Sequence, residues 1–411
     1  MTEPTAGIPD TTAPDRQAPT RQALRERAPV VVAARRTAIG IRGRSLAEYT
    51  VDELAAAVIR ALLDDPAAGL DASPGIADVV LGNCLGPGGN TARVAALAAG
   101  LGPTVPGMTV DRQCGSGLAA IIEAATAIRA GDERPRIAGG VESASTAPVR
   151  SIDGVAYSRA PFAPAGFPDP DMVQAADDLA AAHSISRGRQ DAYAALSHDR
   201  AGNAAALGAF DDELVALEPS AAHSTGRRGE PVDGPRDDGI GSVSRAKLAR
   251  FPALFPGGSL TAGTSSRISD GAAAVLLAPA GTAPGLALLA HATVGCDPAL
   301  PGLGAAPAIR EALARAGLDT GAIAAFEIVE AFASQTLAVL EELGISDDDP
   351  RVCADGGALA LGHPWGASGA VGVVRLFSRL VRGGEPAGTL GVAAASVGGG
   401  MGVAAVFEVV R

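Results

Sequence analysis

Met108-Thr109-Val110, followed by Asp111-Arg112-Gln113-Cys114-Gly115-Ser116-Gly117, is the stretch that decides the fold. The first three residues read as a short buried strand. Residues 118–130 read as a helix that stops at Gly131. Between strand and helix lies a turn carrying a cysteine flanked by glycines, the kind of strand–turn–helix unit from which parallel sheets are built.

The same rhythm extends outward. Val30-Val31-Val32-Ala33 reads as a buried strand. Thr50 with Glu53 three residues later forms a capping box, and Leu54, Val58, Ile59 and Leu62 give the helix behind it one apolar face. Val79-Val80-Leu81 is a strand, and residues 90–101 a helix. Residues 145–258 break the rhythm with many Pro, Gly and Asp around two amphipathic helices, near 173–182 and 186–207. The alternation then returns, with strands at 286–294 and 326–329, helices at 307–316, 331–343 and 368–381, and closing strands at 390–395 and 403–410. This predicts an α/β protein with a disordered tail over 1–28, one half from 29–145 plus 259–284, an inserted loop domain over 146–258, and a second half over 285–411.

The bulk properties agree with a soluble, multi-domain chain. At roughly 100–200 residues per domain, 411 residues make two or three domains. The chain has 47% hydrophobic residues but only 9 Phe, 3 Tyr and 1 Trp, so its core must be built from Ala, Val, Leu and Ile. A net charge of −12, with Lys247 as the lone lysine, argues against nucleic acid or an anionic membrane as partner. No apolar run reaches the length of a membrane span, and the N-terminus lacks an apolar signal core, which predicts a cytoplasmic protein. Cys84, Cys114, Cys296 and Cys353 stand far apart with no histidine at ligand spacing, so neither a metal site nor a disulfide framework is expected.

Chemistry concentrates at three places. Cys114 sits where the strand turns into the helix. There the positive end of the helix dipole favours thiolate, and unpaired N–H groups can hold an oxyanion. His363 lies in Gly362-His363-Pro364-Trp365-Gly366-Ala367-Ser368-Gly369, where Pro and glycines fix one imidazole ahead of a helix, placing it to take a proton from Cys114. Ser396-Val397-Gly398-Gly399-Gly400-Met401-Gly402 is a glycine turn between strands. Cys84, Cys296 and Cys353 read as small buried hydrophobes, and His183, His198, His223 and His291 as capping or core residues.

Taken in order, these pieces resemble the thiolase family, from about Pro29 to Arg411. Gly139-Gly140-Val141-Glu142-Ser143, Phe210-Asp211-Asp212-Glu213-Leu214, Leu260-Thr261-Ala262-Gly263, Asp270-Gly271-Ala272-Ala273-Ala274 and Gly357-Ala358-Leu359-Ala360-Leu361-Gly362 add to the match. The resemblance implies a thiolase-like fold of two similar βαβαβαββ halves in five α-β-α-β-α layers, with a loop domain over coenzyme A. It implies an acyltransferase with no permanent cofactor, whose substrate is a coenzyme A thioester. Cys114 would carry the acyl group and His363 would activate it, with the N–H groups of Cys114 and Gly398 around the oxyanion. Ser266, Phe332, Val329, Ala262, Gly263 and Met172 would line the substrate. Assembly would be a homodimer or homotetramer, and the short connection between Glu142 and Met172 favours the dimer.

Three positions depart from the family pattern. Ser396 stands where a second cysteine removes the α-proton of the incoming acetyl group. A hydroxyl is a far weaker acid than a thiol, and each pKa unit of mismatch is worth about 1.4 kcal/mol. Val329-Glu330-Ala331-Phe332 replaces a motif that begins with asparagine, which helps hold the enolate oxygen; losing such a donor costs roughly 10²–10³ in rate. Gly241 follows Asp237-Asp238-Gly239-Ile240 where an arginine packs on the adenine, leaving Arg227, Arg228 or Arg236 as substitutes. The groups for acylating Cys114 are therefore present while those for making an enolate are altered. This leaves three readings: a thiolase-type transferase using acyl-CoA, a specialised condensing or acyl-transfer enzyme of secondary metabolism fed by a carrier-bound donor, and a non-catalytic partner subunit.

Overall fold

The computed structural model of the protein describes residues 20–66, 75–157, 159–218, 235–241 and 243–411. Of the expected tail, residues 1–19 lie outside the described residues. Residues 20–28 correct the expectation of disorder: Arg21–Arg25 (α1) form a helical turn capped by Thr20. Arg21 and Arg25 of this turn both pair with the buried carboxylate of Glu408 near the other end of the chain.

Strands and helices then alternate: Val30–Arg36 (β1), Gly40–Ile41 (β2), Val51–Leu63 (α2), Val79–Gly82 (β3), Thr91–Ala98 (α3), Gly107–Val110 (β4), Ser116–Arg129 (α4) and Arg136–Glu142 (β5). The capping box at the start of α2 is formed, with Thr50 Oγ accepting from the Glu53 amide and Glu53 Oε2 accepting from the Thr50 amide at 2.9 Å. The stretch from 145 to 258 carries a hairpin that the sequence reading did not contain, Arg150–Ile152 (β6) and Val155–Tyr157 (β7). Asp153 and Gly154 form its two-residue turn with φ of 51° and 80°, the geometry that Asp-Gly favours. It also carries Met172–Ala182 (α5), Arg187–Ala206 (α6) and Arg245–Leu248 (α7). The alternation resumes with Ser269–Ala278 (β8), Gly285–Gly295 (β9), Ala305–Ala316 (α8), Ala325–Ile328 (β10), Ala333–Leu343 (α9), Ala358–Leu361 (α10), Trp365–Leu376 (α11), Leu390–Val397 (β11) and Met401–Val410 (β12).

The strands run in the order β10-β11-β12-β9-β1-β8-β5-β3-β4, with β2 on β8. The two ends of this path are separate half-sheets that touch only through β1 and β9, where Val30 pairs with Ala287 and Val31 with Leu286. Parallel pairing of β3 with β4 and β5, and of β10 with β11, follows from the helical crossovers.

Layering follows from what each face buries. Leu118, Ile121 and Ile122 of α4 share one core with Val373 and Val374 of α11, Val275 of β8, Ala393 of β11 and Val403 of β12, so α4 and α11 lie between the half-sheets. Leu54 and Ile59 of α2 cover the outer face of one half-sheet, against Ile137 and Leu276. Ile309 of α8 and Leu337 of α9 cover the other, against Leu289 and Val392. The result is α-β-α-β-α. Small side chains such as Ala120, Ala124 and Ala370 fill the middle layer, which lets the helices approach closely enough to share a single packed interior.

Candidate active site

The middle layer brings the two reactive segments together. β4 ends at Val110, and the chain enters α4 through a 3₁₀ turn, Gln113–Gly115, that carries Cys114. Ser116 Oγ holds this turn by donating to the Gln113 carbonyl at 2.7 Å and accepting from the Arg112 amide at 2.7 Å. On the other side, α10 ends at Leu361 and α11 begins at Trp365, so His363 sits in a three-residue link between helices. Its amide donates to the Arg267 carbonyl at 2.9 Å, pinning the link against the strand-like segment at 265–268.

The sulfur of Cys114 lies 3.3 Å from Nε2 of His363. The tautomer of that imidazole follows from its other neighbour. Ser368 Oγ, in the first turn of α11, is 2.6 Å from Nδ1 and donates its one proton to the Pro364 carbonyl at 3.0 Å. With its proton on that carbonyl, Oγ accepts from Nδ1–H, an arrangement that leaves the Nε2 lone pair facing the thiol. The sequence signal for this partner is its position, five residues after the histidine on the first turn of a helix.

The electrostatics correct the expectation of a thiolate. Burial pushes the Cys114 thiol up to about 12, partly offset by its own backbone N–H, and burial holds His363 down to about 4. At Cys114 desolvation outweighs the helix terminus, and the charges of Glu142 and Asp111 add to it. Both shifts favour a thiol beside a neutral imidazole.

Ser396 lies on β11 with its hydroxyl committed. Oγ donates to the Gly302 carbonyl at 2.6 Å and accepts from the Ala305 amide at 3.0 Å, capping the first turn of α8 from a neighbouring strand. Pairing of Val397 with Met401 leaves Gly398-Gly399-Gly400 as the turn, and Gly399 and Gly400 have φ of 83° and 77°, which only glycine adopts without strain. A Cβ on Gly398 would stand 2.7 Å from the ring of Phe162. That ring, stacked under Arg159 with 4.6 Å to its centroid, thus closes over the turn; sequence reasoning did not single it out.

The remaining expected residues fall around this centre. The Ser266 amide donates to the Ala331 carbonyl at 3.0 Å and Ser265 bridges Phe332, so Ser266 and half-buried Phe332 lie side by side. Val329 is buried, its amide donating to the Ala394 carbonyl at 2.9 Å. Ala262 and Gly263 form a separate 3₁₀ turn beside Leu248 and Phe251, and Met172 opens α5, which Asp171 caps. Arg227, Arg228 and His223 lie outside the described residues. Gly241 is exposed. Cys353 is buried as expected, whereas Cys84 is half-buried and its thiol donates to the Gln113 carbonyl at 3.3 Å, next to the reactive turn. Among the described residues no His, Cys, Asp and Glu cluster could hold a metal ion, and no helix is long and apolar enough to cross a membrane.

Two buried carboxylates complete the surroundings. Glu330 accepts from Tyr193 at 2.9 Å, Ser197 at 2.7 Å and the Leu359 amide at 3.2 Å, joining α6 to α10. Glu142 at the end of β5 accepts from the amides of Cys84, Leu85 and Gly366.

Comparison with known proteins places this geometry. Residues 29–281 match the model of the thiolase N-terminal domain and residues 283–409 that of the thiolase C-terminal domain. The chain is 40% identical over 396 residues to an acetyl-CoA acetyltransferase of Pseudomonas aeruginosa, covering 91% of this chain and 98% of the relative. It is 40% identical over 397 residues to the peroxisomal 3-ketoacyl-CoA thiolase A of Rattus norvegicus, covering 92% and 88%. It is 38% identical over 413 residues to a beta-ketoadipyl-CoA thiolase of Pseudomonas aeruginosa, covering 93% and 99%. Among solved structures, the Bacillus anthracis acetyl-CoA acetyltransferase superimposes with a TM-score of 0.84 at 33% identity, covering 94% of this chain and 99% of that one.

Proposed function

Because the chain belongs to the thiolase family of acyltransferases, we propose that Cys114 accepts an acyl group from an acyl-CoA, and that the enolate-forming step of ordinary thiolases is weakened in it. The observation that carries this reading is the 3.3 Å approach of Cys114 Sγ to an imidazole whose tautomer Ser368 fixes. As the sulfur attacks the thioester carbonyl, Nε2 takes its proton. The oxyanion meets the backbone N–H groups of Cys114 and Gly398. Collapse breaks the bond to the coenzyme A sulfur, which leaves with the proton from His363. Ser266, Phe332, Ala262, Gly263 and Met172 line the path of the donor.

The second half of the reaction differs. Ser396 is held by Gly302 and Ala305, and its hydroxyl is too weak an acid to act as the second base. Val329 offers no donor to the enolate oxygen. Gly241, which brings no side chain to an adenine, supports a second reading in which the donor rides on a carrier protein. We assign the two α/β halves to residues 29–145 plus 259–284 and to 285–411, with 146–258 as the covering insertion, and expect a cytoplasmic homodimer.

Rates of coenzyme A release from acyl-CoA and of acetoacetyl-CoA thiolysis test the reading side by side. Acylation with thiolysis at least a hundredfold below it supports the proposal. Thiolysis as fast as acylation contradicts the weakened second step, and a faster reaction with carrier-bound donor selects the second reading.

A further inference from the structure

Beside the Cys114–His363 pair, three chain segments meet at one point. A Cβ on Gly140 would stand 1.9 Å from the Gly366 carbonyl, and one on Gly82 would stand 2.7 Å from the same oxygen. Only hydrogen side chains allow β3, β5 and the start of α11 to approach this closely. The side chain that closes the junction is Glu142, 1% exposed.

Its carboxylate is surrounded by donors. Oε1 accepts from Asn83 Nδ2 at 3.0 Å and from the Leu85 amide at 3.0 Å; Oε2 accepts from the Cys84 amide at 3.2 Å and the Gly366 amide at 3.0 Å. These N–H groups offset part of the burial that pushes the group's pKa up. One arm of this network runs through Cys84, whose thiol donates to the Gln113 carbonyl at 3.3 Å. Gln113 holds a φ of 46° immediately before the nucleophile, a left-handed conformation that a non-glycine residue keeps only when its surroundings impose it. The other arm runs through Gly366, which lies between His363 and its orienting partner Ser368.

We propose that Glu142 is a positioning residue that sets the distance between Cys114 and His363, by tying the turn that carries the nucleophile, through Cys84, and the link that carries the base, through Gly366, to one carboxylate. It does not touch the reacting atoms. The inference rests on the acyl–Cys114 reading, which the wild-type protein tests by itself. If the wild type forms no acyl adduct, that reading fails; if the wild type is acylated and the variants are acylated equally fast, only the present inference fails.

Two variants separate reach from charge. Glu142→Asp keeps the charge but is too short to serve both arms. Glu142→Gln keeps the length but removes the charge, which adds to burial in holding the Cys114 thiol protonated. In folded samples with cooperative melting, both should lower the rate constant of Cys114 acylation at saturating acyl-CoA at least tenfold, with KM within twofold. Wild-type acylation in either variant, or a loss confined to KM, would overturn the proposal. Should neither variant fold, Cys84→Ala decides, since it cuts one arm at a half-buried side chain: a three- to tenfold slower acylation supports the proposal and a wild-type rate overturns it.

Discussion

Ser368 Oγ stands 2.6 Å from His363 Nδ1 and spends its own proton on the Pro364 carbonyl, so this hydroxyl decides which nitrogen of the imidazole is free to act as a base. Ser368→Ala frees the ring to take the other tautomer or to rotate. The rate constant for acylation of Cys114 should fall roughly 10²-fold or more, as expected when a catalytic histidine loses its orienting partner, with KM for acyl-CoA unchanged. Ser368→Thr, which keeps the hydroxyl, should recover part of the loss. Single-turnover acylation kinetics read both; an unchanged rate in the alanine variant would show that the hydroxyl does not orient the base.

Ser396 is expected to matter more for stability than for acylation. Removing its hydroxyl leaves the Gly302 carbonyl and the Ala305 amide without their partner, at a cost of about 1–2 kcal/mol. Urea unfolding of Ser396→Ala should show this loss while acylation stays near the wild-type rate. Ser396→Cys alone should not restore condensation at the rates of the family, because Val329 still brings no donor to the enolate oxygen. Adding Val329→Asn should raise condensation further, and full activity in the single cysteine variant would refute this division of labour.

Burial sets the pH behaviour. With His363 held down to about 4, the imidazole stays neutral through mildly acid solution. Acylation at saturating acyl-CoA should therefore be flat between about pH 5 and 8 and fall toward pH 4. The same depression links folding to pH. The unfolded chain binds a proton below about pH 6.5 that the folded chain refuses, so this contribution is present above that pH and lost as the pH falls through about 4. The magnitude is about 3 kcal/mol for a fully buried imidazole. Urea unfolding at pH 7 and 4.5 should show a smaller acid loss for His363→Gln than for the wild type; parallel losses would contradict the assignment.

Arg36 on β1 is fully buried between Glu213, at 2.6 Å, and Asp237, at 2.7 and 3.0 Å. Asp237 in turn accepts from the Ile39 amide at 2.7 Å, which holds the segment at 235–241 against β1. Arg36→Met would leave the buried carboxylate of Asp237 without its cation, while Glu213 keeps Arg375 and Ser378, and should cost about 3–5 kcal/mol, read as a lower urea midpoint. A loss below about 1 kcal/mol would mean that water reaches the carboxylates.

Much of this architecture is legible because local signals and long-range packing agree. Thr50 and Glu53 mark a helix start and form it, and the strand–turn–helix around Cys114 lies where its apolar residues and glycines put it. The hairpin at Asp153-Gly154 was equally legible but hidden in a stretch read only for its composition. What could not be read was set by partners distant in sequence. Ser396 looks like a failed acid–base residue until Gly302 and Ala305 are brought to it across some ninety positions. Cys84 looks like a small core residue until its thiol meets the Gln113 carbonyl. The state of Cys114 itself was misread, since a helix terminus is visible in a sequence while the desolvation that outweighs it depends on the folded surroundings.

The proposed mechanism puts the acyl group on Cys114 alone. The most direct test is the intact mass of the protein after brief exposure to acetyl-CoA and longer acyl-CoAs, beside a Cys114→Ala variant. The wild type should gain the mass of one acyl group with at least one donor, and the variant none. No adduct with any donor, carrier-bound ones included, or an adduct that persists in Cys114→Ala, would contradict it.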